Sequence, residues 1–181
     1  MNAMLTECVS VLPDNSFGVF TFSDNTGAIW GGGSMHATLF KTENSYALAT
    51  FGGYNYPGGY QFTKTLYAGN WQPIEWKNHP MALGVEYRTT ERWNGRAVYT
   101  MCVSCGALPN SSMEYIENIL PYNITAISAT GFGKTNTVSV MIPNAEISVD
   151  VNNEWGYIVI RTTTDMSGYT ESYITVKYIK N

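Results

Sequence analysis

Cys102 and Cys105 carry the Cys-x-x-Cys spacing used by zinc ligands and redox dithiols. Zinc needs about four ligands. The other cysteine and histidines are Cys8, His36 and His79, all from the N-terminal half of the sequence. Redox pairs sit at helix starts, where the dipole lowers a thiol pKa. This pair falls in Val98–Cys105, a run that reads as a strand, where positions i and i+3 point to opposite faces. Packed thiols are the expectation, with no metal and no cofactor. Gly131–Thr135 (GFGKT) ends like a phosphate-binding loop, yet Ser128 stands where that loop needs its first glycine. A β-rich stretch, Thr137–Ile142, follows in place of a helix, so a hairpin turn is expected.

Nucleophilic catalysis finds no support. His36 and His79 are the only histidines, and neither a Ser/His/Asp arrangement nor a G-x-S-x-G motif is present. Paired carboxylates could cleave a glycan. The available acids are Glu75, Glu86, Glu91, Glu114, Glu117, Glu146, Glu154 and Asp165, and nothing in their spacing brings two together. They read as surface solubility, and the chain reads as a non-enzyme.

The aromatic residues offer binding chemistry instead. Tyr54, Asn55, Tyr56 and Tyr60 lie in or beside Gly52–Gly59 (GGYNYPGG), and Trp30 precedes Gly31-Gly32-Gly33. Rings on Gly/Pro-rich loops present flat apolar faces with polar tips, suited to stacking on a sugar or gripping a protein. These five are the candidate ligand-binding residues.

The elements that must position them are strands. Phe17–Phe22, His36–Thr42, Ser45–Phe51 and Tyr60–Tyr67 alternate in the first half. Lys64 interrupts an apolar face and marks its strand as an edge or half buried. Val98–Cys105, Ile124–Thr130, Thr137–Ile142, Ala145–Val151, Gly156–Thr163 and Tyr173–Ile179 follow in the second. Turn residues punctuate them at spacings of about 8–12 residues, as in a sandwich or barrel. Helical periodicity is nearly absent. Its best candidate is Met113–Leu120, short enough to be extended instead. The expected fold is all-β, with two antiparallel modules over 1–78 and 85–181, the second a jelly-roll-like β-sandwich. Trp93 and Tyr99 are expected to close its core, with Asn94-Gly95 as a type I′ turn.

Composition narrows the partners. Only 13% of the 181 residues are charged and the net charge is −4. That argues against nucleic acid, which needs clustered Lys and Arg. No apolar run approaches the roughly 20 residues that span a bilayer, so no membrane insertion is expected. The N-terminus has no charged n-region or apolar h-region. An odd count of three cysteines fits assembly in a reducing cytoplasm without a signal peptide. Asn110-Ser-Ser and Asn123-Ile-Thr match the glycosylation pattern, which has no meaning without secretion.

Several segments resemble known modules. Trp71–Trp76 (WQPIEW), after a Tyr-Ala-Gly-Asn-Trp hairpin, resembles a small module of bacteriophage tail and neck fibres. Thr90–Tyr99 (TERWNGRAVY), Gly106–Asn110 (GALPN) and the closing Ile174–Lys180 (ITVKYIK) are similar to a C-terminal module of phage and prophage tail fibres and baseplate proteins. Arg96 replaces the more usual Lys. The resemblance implies a virion structural protein of the fibre-tip type, made in the bacterial cytoplasm. It implies a homotrimer that contacts other virion proteins and recognises a host surface glycan or cell-wall polymer without catalysis. The alternatives are an assembly protein with no receptor of its own and a glycan depolymerase.

Overall fold

The computed structural model describes residues 1–23, 33–53 and 60–181. Trp30, Tyr54, Asn55 and Tyr56 lie outside the described residues. Among the described residues the fold is all-β but for one helix, and the chain forms two compact units, Met1–Pro80 and Met81–Asn181.

The N-terminal unit opens with helix α1, Asn2–Val11. The strands are β1 (Ser16–Ser23), β2 (Ser34–Glu43), β3 (Tyr46–Gly53), β4 (Gln61–Tyr67), β5 (Asn70–Trp71) and β6 (Glu75–Asn78). They pair antiparallel in the order β1-β2-β3-β4-β6, with β5 on the end of β4. Alternation selects one face of the sheet. Phe22, Met35, Ala37, Leu39, Ala49, Phe51, Phe62 and Leu66 turn inward and form one core with Leu5 and Val9 of the helix. The sequence expectation placed no helix here. Leu5 and Val9 alone are fully buried, too short an apolar stripe to register as a period of 3.6. Tertiary contact holds the helix in place: Trp71 Nε1 donates to Thr6 Oγ1 at 3.0 Å.

Lys64 corrects a second expectation. It is buried on β4, a strand paired on both sides, rather than at an edge. Its stem packs in the core and its Nζ donates to the Gln72 carbonyl at 2.6 Å. Burial lowers the pKa of the amine. Lys41 behaves similarly. Its buried Nζ donates to the Leu12 carbonyl at 2.7 Å and lies 3.1 Å from Asp14. Leu12 caps α1, so β2 supplies the cation that the helix lacks in its last turn.

The C-terminal unit is a β-sandwich. Its strands are β7 (Glu86–Trp93), β8 (Arg96–Gly106), β9 (Met113–Ile116), β10 (Ile124–Lys134), β11 (Ser139–Ile142), β12 (Ile147–Val151), β13 (Ile158–Thr162) and β14 (Glu171–Lys180). One layer runs β7-β8-β14-β10-β11 and the other β12-β13-β9. Val103, Ile174, Val176 and Tyr178 from the first layer share a core with Ile147, Ile158 and Ile160 from the second. The Met113–Leu120 stretch is therefore extended at its start, as β9.

Asn94 and Gly95 both take positive φ, 49° and 78°, between the paired ends Trp93 and Arg96. That is the two-residue turn expected of Asn-Gly. Trp93 itself departs from expectation. It is 48% exposed and outside the core cluster, at the end of its strand beside the turn. Tyr99 does reach the core, stacking on Tyr178 with centroids 6.0 Å apart. The Tyr178 hydroxyl donates to Glu86 Oε2, and Lys180 bonds the other Glu86 oxygen at 2.6 Å. Burial, and then Glu86, push the phenol pKa upward.

Gly131–Lys134 continues β10, and Thr135 turns the chain into β11 by accepting from the amides of Thr137 (3.1 Å) and Val138 (3.0 Å). The glycines here serve packing: a Cβ on Gly131 would sit 1.8 Å from the Tyr173 carbonyl oxygen. Cys105 is buried in the core, and Cys102, on β8's other face, is half buried. Burial pushes the Cys105 thiol pKa up to about 12, which keeps it protonated and unreactive near neutral pH.

Candidate functional site

Of the five residues singled out from sequence, Tyr60 alone is described. It is half buried, with its ring edge-on to Trp76 at 6.3 Å, and Trp76 packs in turn on Phe62 at 5.2 Å. Several candidate acids are engaged structurally. Glu86 holds Tyr178 and Lys180, Glu91 pairs with Lys177 at 2.6 Å, and Asp165 accepts from the Ser167 amide and hydroxyl.

Among the described residues, a concave surface with binding chemistry lies on the C-terminal unit. Two chain segments build it: 117–123, between β9 and β10, and 152–157, between β12 and β13. A hollow of about 390 Å³ is lined by Glu117, Asn118, Tyr122, Trp155 and Tyr157. A second, of about 280 Å³, is lined by Tyr122, Asn123, Glu154 and Trp155. Tyr122 and Trp155 belong to both, so the two hollows form one groove around two rings. These rings are 59% and 58% exposed.

Backbone and amide side chains hold the groove's shape. Asn152 Oδ1 accepts from the amides of Glu154 (3.1 Å) and Trp155 (2.8 Å), an Asx turn that fixes where the indole projects. Its Nδ2 donates to the Tyr157 hydroxyl at 3.1 Å. The segments are then joined directly. The Leu120 amide donates to the Gly156 carbonyl at 3.0 Å, the Asn123 amide to Glu154 at 3.2 Å and the Ile124 amide to Asn153 at 2.9 Å. Asn153 Oδ1 also takes the Ala126 amide at 2.9 Å, and Tyr122 donates to Asn118 Oδ1 at 3.1 Å. Gly156 sits at φ +65°, where an added Cβ would meet the Leu120 and Pro121 carbonyl oxygens at 2.4 and 2.6 Å. Only glycine lets the segments approach so closely. Leu120, Ile124 and Ile158, at or near the segment ends, are core residues, so the groove rests on the sandwich.

The groove has the parts of a saccharide site. Exposed Trp and Tyr rings offer flat apolar faces, and Glu117, Asn118, Asn123 and Glu154 supply hydroxyl-bonding oxygens and amides. None of its lining residues is a thiol, a hydroxyl nucleophile of Ser or Thr type, or a histidine. Among the described residues, no three His, Cys, Asp or Glu side chains cluster as metal ligands. The sequence signal was Asn152-Asn153-Glu154-Trp155-Gly156. It reads as a turn, and the Asn that caps it also aims the Trp outward.

At the level of sequence, no family model and no curated protein matches the chain. Among solved structures it is similar to an N-truncated R2-type pyocin tail fiber. Identity is 10% over 92% of this chain and 92% of that one, with a TM-score of 0.27. It is similar to a C-terminal fragment of the P. aeruginosa R2 pyocin fiber at 11% identity, over 98% of this chain and 64% of that one, with a TM-score of 0.29. A C-terminal fragment of the P. aeruginosa R1 pyocin fiber aligns at 13% identity, over 92% of this chain and 64% of that one, with a TM-score of 0.28.

Proposed function

We propose that this chain is a non-catalytic recognition module of the tail-fibre type, a virion component that binds a host-surface glycan or cell-wall polymer. The observation that carries the reading is the groove. Two exposed rings, Trp155 and Tyr122, are held by hydrogen-bonded segments on a packed sandwich. Ordering is largely complete before the ligand arrives, so little conformational entropy is lost on binding. The low charge content and the Trp93-Asn94-Gly95 and Leu108-Pro109-Asn110 segments support the same assignment. A shallow groove binds weakly, and several copies on one particle would convert weak contacts into firm attachment. A homotrimer fits this scheme. The outer face of the N-terminal sheet supports one, because Phe17, Phe40 and Leu48 lie side by side in register and are exposed.

Glu117 and Glu154 line adjoining hollows, and this favours one alternative, a glycan depolymerase. Incubation with purified host polysaccharide separates the two. The recognition reading expects retention of the polymer on immobilised protein with no new reducing ends. Release of oligosaccharides, lost in Glu117→Gln or Glu154→Gln, would replace it with the enzyme.

A further inference from the structure

We infer that the groove selects saccharides without acidic groups, neutral or amine-bearing, and discriminates against anionic polymers. This rests on the glycan-recognition reading above and sharpens it to a ligand class. The carboxylates lining the two hollows are Glu117 and Glu154, both exposed, and no lysine, arginine or histidine lines either hollow. Tyr122, Tyr157, Trp155, Asn118 and Asn123 complete the lining and carry no charge near neutral pH. On β14 the cation nearest by register is Lys180, opposite Ile124, and Glu86 holds it; Arg96 is bonded to the Lys180 carbonyl and to Asn181. Arg161 on β13 is paired with Asp150 on β12. A uronate or phosphate on a sugar stacked against Trp155 would therefore face two carboxylates with no cation to receive it. An ammonium would face two acceptors, and a free or acetylated hydroxyl would meet groups that hydrogen-bond without a charge penalty.

The size of the effect follows from Coulomb's law. Two carboxylates roughly 5–6 Å from an added negative charge in water disfavour it by about tenfold in affinity. Salt screens part of this, because the groove is open to solvent.

The test is calorimetric titration of the full chain with four oligomers of matched length: hexose, N-acetylhexosamine, hexosamine and hexuronate. The expected result is binding of at least one of the first three, about tenfold or more tighter than any binding of the hexuronate. The gap is expected to narrow in 1 M salt and by about tenfold in the Glu117→Gln/Glu154→Gln double variant. Hexuronate binding as tight as the best neutral oligomer overturns the selectivity and leaves glycan recognition standing. So does a gap that the double variant does not move. Absence of binding by all four, while retention on host polysaccharide also fails, overturns the recognition reading itself.

Discussion

Gly131→Ala is expected to lower the stability of the C-terminal unit by about 3 kcal/mol or more, the upper end of what overpacking usually costs. The added methyl would stand 1.8 Å from the Tyr173 carbonyl oxygen, 2.9 Å from its carbon and 3.0 Å from Ile174 Cα. All three are backbone atoms of β14, the middle strand of the larger layer. A flexible side chain could swing aside, but a carbonyl inside the β10–β14 ladder cannot move without lengthening hydrogen bonds in a register that runs from Ile124 to Lys134. Thermal unfolding followed by circular dichroism would register a drop of roughly 10 °C or more for a unit of this size. Gly168→Ala is the matched control. Nothing lies within 4 Å of its Cβ position, so its melting temperature is expected to stay within about 2 °C of the parent. Equal melting temperatures for both variants would show that the β10–β14 approach is looser than described.

Trp155→Ala is expected to weaken glycan binding by about 30-fold, or roughly 2 kcal/mol, the scale of an aromatic anchor at the centre of a contact. The indole borders both hollows, so its removal flattens the groove and deletes the larger of the two stacking faces. Stability should change by no more than about 1 kcal/mol, because the ring is largely exposed and absent from the sandwich core. The Asx turn survives, since Asn152 bonds the backbone amide of residue 155 rather than its side chain. Isothermal titration and thermal melting on the same preparation separate lost contact from lost fold. A variant that melts with the parent yet binds with unchanged affinity would remove Trp155 from the site.

Six strands of the sandwich, β8 and β10 to β14, were legible because their apolar residues alternate, whereas β7 was not marked as a strand and β9 fell in the best helix candidate. Ile174, Val176 and Tyr178 on β14, and Ile158 and Ile160 on β13, announce their faces directly. Asn94-Gly95 announced its turn for an equally local reason, since both residues tolerate positive φ. Helix α1 was illegible because two buried residues make no periodic stripe, and its stability comes from the sheet that receives Leu5 and Val9. Lys64 misled because charge was read as exposure, whereas a long apolar stem ending on a carbonyl is compatible with a core position. Trp93 misled in the opposite sense: a large ring was read as core, whereas at the strand's end beside the hairpin turn it is half exposed. The groove was hidden for a topological reason. Tyr122 and Trp155 sit on separate segments that become neighbours only through the hydrogen bonds of Leu120, Asn123 and Ile124 to Asn153, Glu154 and Gly156. No window of sequence contains both.

The groove between 117–123 and 152–157 is the proposed place where this chain meets a glycan. Amide chemical-shift mapping of the ¹⁵N-labelled full chain, titrated with the best-binding oligosaccharide, tests it most directly. Shifts are expected to concentrate on the amides of those two segments and on the Trp155 indole, with the strands of the N-terminal unit unmoved. Saturable shifts centred on the N-terminal unit, with 117–123 and 152–157 unchanged, would contradict it.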